Sequence, residues 1–93
     1  MAFWTVIADY RGGTYISQVR AVNVSQALMK WAMAFPHISG SSIGAKTKAK
    51  LVSAARDKQE RPTPIKETQN VWYWNPLNLR PPIVLHLVKT NQA

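Results

Sequence analysis

The sequence predicts an α+β fold, a two-layer sandwich of about four mostly antiparallel strands and two helices in the order β-β-α-α-β-β. Three observations carry this expectation. A Gly-Gly pair near the start separates two runs in which side chains alternate in kind. The apolar period then changes from two to about 3.6 residues, the signature of a helix face. Beyond two prolines in a polar connector, the chain returns to aromatic and β-branched segments.

Phe3 to Tyr10 alternates as Trp4, Val6, Ala8 and Tyr10 against Phe3, Thr5, Ile7 and Asp9. Thr14 to Val22 alternates as Tyr15, Ser17, Val19 and Ala21 against Ile16, Gln18, Arg20 and Val22. Gly12-Gly13 tolerates the positive φ of a two-residue hairpin turn. A turn on these two glycines sets Tyr10 opposite Tyr15, Val6 opposite Val19 and Trp4 opposite Ala21. One face then collects the tryptophan, the tyrosines and the small apolar residues. The other carries Thr5, Asp9, Gln18 and Arg20 together with Phe3, Ile7, Ile16 and Val22.

Val24, Leu28, Trp31 and Phe35 fall on one helical stripe, with Ala27 and Ala32 beside them. Asn23 is a good N-cap residue, and Gln26 three positions on completes a capping-box pattern. Pro36 stops the helix at or before Phe35. Residues 36–44 read as a loop. In 45–57 the lysines at 46, 48 and 50 alternate like a strand, yet the length and the alanines favour a helix. Residues 58–69 hold Pro62 and Pro64 and read as an extended connector. Asn70 to Trp74 forms a strand, an eight-residue loop from Asn75-Pro76 to Pro81-Pro82 follows, and Ile83 to Thr90 is the last strand. That strand is apolar on both faces, which predicts a central position, beside the first strand.

The 93 residues fit a single domain spanning 1–93. There is no cysteine, which removes disulfides and thiol chemistry and suits a reducing, cytoplasmic setting. The first ten residues lack the basic and long apolar regions of a signal peptide, and no apolar run approaches the ~20 residues of a membrane helix. Twelve Lys and Arg against four Asp and Glu give a net charge of +8. Such a chain is drawn to nucleic acid, anionic lipid or an acidic protein, unless the charge serves solubility alone.

The sequence carries little catalytic equipment. Its titratable candidates are His37, His86, Asp9, Asp57, Glu60 and Glu67. Asp9 adjoins a turn, and Asp57, Glu60 and Glu67 sit among cations, the usual setting of solvated charge partners. His86 alone is embedded in apolar sequence, where a lone histidine is commonly a hydrogen-bonded core residue. No pair has metal-ligand spacing, and no phosphate-binding glycine loop or nucleophile elbow occurs. The expectation is a non-enzyme without cofactor or metal.

Two features suggest contact surfaces. Lys46, Lys48, Lys50 and Arg56 fall within eleven residues that contain no acid, a candidate basic patch for phosphates. On a helix Lys46 and Lys50 share a side while Lys48 lies well round the cylinder, so the plain alternative is a solvated face. Trp72, Tyr73 and Trp74 occupy consecutive strand positions, so Tyr73 faces away from the tryptophans. Trp72 and Trp74 are a candidate stacking surface for bases, the alternative being that they fill the core.

The hairpin followed by a helix opening on Asn-Val-Ser-Gln-Ala-Leu resembles the front of the HicB-type antitoxins. The third strand that precedes the helix in that family has no counterpart here, and no function is carried over. The sequence therefore points to a small interaction module acting through protein contacts, with another protein or a second copy of itself as partner. The alternative is a basic nucleic-acid-binding protein of little sequence specificity. The apolar residues on the second face of the hairpin need a cover: the second helix, the 75–82 loop or a second copy of the chain.

Overall fold

A computed structural model describes residues 1–35, 44–77 and 79–92. The expected 36–44 loop, with His37, falls outside these residues except for Gly44. The elements are β1 (Ala2–Tyr10), β2 (Gly13–Ala21), α1 (Val24–Ala34), α2 (Ala45–Arg56), β3 (Thr63–Pro64), β4 (Val71–Trp74) and β5 (Ile83–Gln92). Among the described residues all strands pair antiparallel in one five-stranded sheet of order β2-β1-β5-β4-β3. The fold class is the expected α+β sandwich, and the last strand is central beside the first.

The hairpin closes one residue earlier than the glycine pair suggests. Arg11 and Gly12 form the turn, with φ of 51° and 80°. Tyr10 pairs with Gly13, Ala8 with Tyr15, Val6 with Ser17 and Trp4 with Val19. The register is therefore two residues off the expected one. A shift of two preserves side-chain parity, so each residue keeps its face. Arg11 accepts positive φ at the first turn position, which frees Gly13 to begin β2, where the Tyr15 ring lies over it.

The helix layer rests on the face formed by Trp4, Val6, Ala8, Tyr10, Ala21, Ile83, Leu85 and Leu87, all buried. α1 contributes Ala27, Leu28, Trp31 and Ala32, and its C-cap Phe35 stacks on Trp31 with ring centroids 4.9 Å apart. Asn23 caps the helix, its side-chain oxygen accepting from the Gln26 amide at 2.8 Å. The Gln26 side chain reaches back to the amide of Val22, also at 2.8 Å. Burying these large groups is the main stabilising term, at about 1.5–3 kcal/mol for each fully buried apolar side chain.

The connector is not wholly extended. Thr63 and Pro64 form β3, pairing with Tyr73 and Trp72, and this two-residue edge strand raises the expected count of about four strands to five. The 75–82 loop folds inward: Leu79 is buried in the core, and the Leu77 amide donates to the Glu60 carboxylate. No helix among the described residues is long and apolar enough to cross a membrane.

Candidate interaction surface

Leu51 of α2 and Leu79 of the 75–82 loop are buried in the same core cluster as the α1 residues, on one side of the sheet, and the other face has no cover among the described residues. Of the three expected covers, the second helix and the loop are excluded by their positions. The register lines up this open face in rows. One row runs Ile16, Ile7, His86, Tyr73 across β2, β1, β5 and β4. Ile16 is 65% exposed and Tyr73 38%, while Ile7 and His86 are half-buried by their neighbours. The Tyr73 and His86 rings meet edge to face at 5.7 Å. Val71, Val84 and Val88 add half-buried apolar surface to the same face.

A polar row borders this stripe. Gln18 donates to the Thr5 hydroxyl at 3.1 Å, Thr5 donates to Thr90 at 3.2 Å, and Thr90 donates to the Phe3 carbonyl at 3.1 Å. The Arg20 guanidinium lies over the Phe3 ring at 4.6 Å, and Thr14 donates to the Asp9 carboxylate at 2.7 Å. The open face is thus an ordered apolar stripe with polar margins, in keeping with the anatomy of contact surfaces. Val22, expected on this face, lies just beyond the end of β2 and is exposed.

The residues of the candidate basic patch do not share one orientation. Lys46, Lys50 and Arg56 are exposed on α2. Lys48 turns inward instead, where its ammonium donates to the carbonyls of Ala32 at 2.7 Å, Met33 at 2.8 Å and Phe35. These are carbonyls at the end of α1 that have no partner within the helix. Burial pushes Lys48 below its ordinary value. α1 has no basic residue in its own last turn, so Lys48 supplies that complement from the neighbouring helix.

The tryptophans do not form an open stacking surface. Trp74 is 2% exposed and its indole N–H donates to the Glu60 carbonyl. Trp72 packs against Trp4 with ring centroids 5.1 Å apart. Both face the helix layer, in line with Leu85 and Leu87 of β5, which leaves Tyr73 as the aromatic on the open side.

Asp57 and Glu60 border a cleft of about 350 Å³ with Lys50, Ser53, Ala54, Pro76 and Leu79. Each carboxylate accepts from a backbone amide, Asp57 from Gln59 at 2.9 Å and Glu60 from Leu77 at 3.2 Å. Both act as ties for the turns around them. Among the described residues no cluster of three or more His, Asp or Glu is placed to hold a metal ion.

Comparison with protein-family models, curated proteins and solved structures returns no match. The surface must therefore be read from its own chemistry. Sequence reasoning named three of its apolar members, Phe3, Ile7 and Ile16, placed Val22 there as well, and missed Tyr73 and His86. The signal for those two was the parity of β4 and β5, once their register was known.

Proposed function

We propose that this chain is a small interaction module that acts through protein contact at the open sheet face, and not through catalysis. The observation that supports it is the bare stripe of Ile16, Ile7, His86 and Tyr73. A two-layer sandwich can leave one sheet face to water, but such a face normally reads as polar. Here an apolar band four strands wide is framed by hydroxyls, an amide and two charges, the pattern of a surface that is covered part of the time.

Nonspecific nucleic-acid binding is the second reading. It draws support from the net charge of +8 and from the exposed Lys46, Lys50, Arg56, Lys58 and Arg61. The inward turn of Lys48 and the burial of Trp74 count against it, because they remove a phosphate contact and a stacking platform.

Gel shifts with duplex and single-stranded DNA and RNA at low salt separate the two. The protein-contact reading expects no shift, and an absorbance ratio at 260/280 nm typical of clean protein after purification. A shift that weakens steeply with salt, and weakens again when Lys46 and Lys50 become glutamine, would replace it with the second reading.

A further inference from the structure

We propose that a second copy of this chain pairs with the outer edge of β2, antiparallel, about a two-fold axis through Ser17. This inference uses the strand edge and does not rest on the open-face reading.

The two edges of the sheet differ. On one side β3 is two residues long and includes Pro64, which has no N–H, so that edge is blunted. On the other, β2 runs nine residues without proline, and its pairing with β1 has no bulge. No described residue pairs with its outer side.

The hairpin sets which backbone groups point outward. A two-residue turn makes Tyr10 and Gly13 exchange both hydrogen bonds, and hydrogen-bonded pairs then alternate along the ladder. Gly13, Tyr15, Ser17, Val19 and Ala21 bond to β1, while Thr14, Ile16, Gln18 and Arg20 turn their N–H and C=O groups outward. The contact from Lys30 Nζ to the Arg20 carbonyl, at 2.7 Å, agrees with this parity. It occupies one lone pair at one end of the edge and leaves Thr14, Ile16 and Gln18 untouched.

An antiparallel copy must match outward residues with outward residues. Complete overlap of the two strands does so: Thr14 meets Arg20 and Ile16 meets Gln18 in hydrogen-bonded pairs. Tyr15 then meets Val19, and Ser17 meets its own counterpart, in the closer pairs. The Ser17 hydroxyl is buried and has no hydrogen-bond partner among the described residues. The axis places an identical hydroxyl directly across from it, on the same face.

Charge complementarity selects a second copy as the occupant. Asp9 and Arg20 sit at opposite ends of the open face, and Asp9 is cross-strand from Thr14. In the paired register Arg20 lies beside the partner copy's Thr14, with that copy's Asp9 one strand further on the same face. An arginine that leaves the Phe3 ring and extends across the edge spans that gap, and symmetry makes the contact twice. Opposing it is the repulsion between two chains of +8. Salt screens that long-range term more than the close pairs, so association strengthens as salt rises.

The test uses the absence of cysteine in the chain. In a close antiparallel pair the Cα atoms are about 4.5 Å apart, within the roughly 4.4–6.8 Å that a disulfide spans. Ser17→Cys under mild oxidation is expected to give a disulfide-linked dimer as the main species, increasingly so at higher salt. Gln18→Cys, whose opposite residue is Ile16, stays largely monomeric under the same conditions. In sedimentation, Ile16→Pro, which loses an outward N–H and none that bonds to β1, weakens dimerisation by about tenfold or more relative to Ile16→Thr, which keeps that N–H, with an unchanged circular dichroism spectrum. Asp9→Lys weakens it several-fold, and adding Arg20→Glu restores it. A wild-type chain that stays monomeric at millimolar concentration in high salt overturns the proposal. So does a Gln18→Cys variant that crosslinks as readily as Ser17→Cys.

Discussion

Lys48→Met removes the donor that closes the C-terminal end of α1 and keeps most of the aliphatic stem. Three carbonyls, those of Ala32, Met33 and Phe35, lose their shared cation. Hydrogen bonds to a charged group contribute about 1.5–3 kcal/mol, and a cation at a helix C-terminus about 0.3–1 kcal/mol at the surface. These terms overlap, and the desolvation that pushes Lys48 down opposes them. The net expectation is a loss of about 1–2 kcal/mol, at the low end of the hydrogen-bond range. For a domain of this size each kcal/mol corresponds to a fall in Tm of roughly 4–8 °C. Lys46→Met and Lys50→Met, at exposed positions on the same helix, should stay within about 0.5 kcal/mol of wild type. Urea or thermal melts followed by circular dichroism measure all three variants. The lowered value of Lys48 adds a sign. Between its folded value and the ordinary 10.5, the unfolded chain holds the proton that the folded chain has released. The contribution of this group to stability therefore rises with pH through that window, and wild type should gain on the Met variant there. A Lys48→Met protein that melts with Lys46→Met would refute the capping role.

Gly12→Val puts a β-branched residue at φ 80° in an otherwise open space, so backbone strain alone sets the cost. A loss of about 1–3 kcal/mol is expected in urea melts, and an unchanged midpoint would contradict the turn assignment. Leu28→Ala and Trp31→Ala empty fully buried positions and should cost about 2–5 kcal/mol, with Trp31→Ala poorly folded. A cooperative, wild-type-like melt of Trp31→Ala would place that stripe elsewhere. Lys46→Gln with Lys50→Gln should leave stability within about 0.5 kcal/mol of wild type, and a larger drop would show that these exposed charges hold structure.

Much of the fold was legible because local and long-range signals agree. The hairpin faces survived an error of two in the register, since parity depends on the strand period and not on the turn position. The two apolar faces of Ile83–Thr90 located the centre of the sheet, and helical propensity overrode the strand-like alternation of Lys46, Lys48 and Lys50. β3 was not legible: two residues show no period, and a proline argues against a strand unless it is at an edge. Nor was the role of Lys48, which depends on how α2 packs against the end of α1. The sequence showed that Trp72 and Trp74 share a side. Which side faces the helices was decided by their alignment with Leu87 and Leu85.

The central claim is that contacts run through the bare sheet face and not through the lysines of α2. Affinity capture from nuclease-treated lysate of the source cell tests it most directly. Three baits are compared: wild type, Ile16→Thr with Tyr73→Ser, and Lys46→Gln with Lys50→Gln. The predicted result is a protein retained by wild type and by the glutamine variant, and lost from the face variant at unchanged Tm. Retention by the face variant together with loss from the glutamine variant, or capture that disappears on nuclease treatment, would contradict the account.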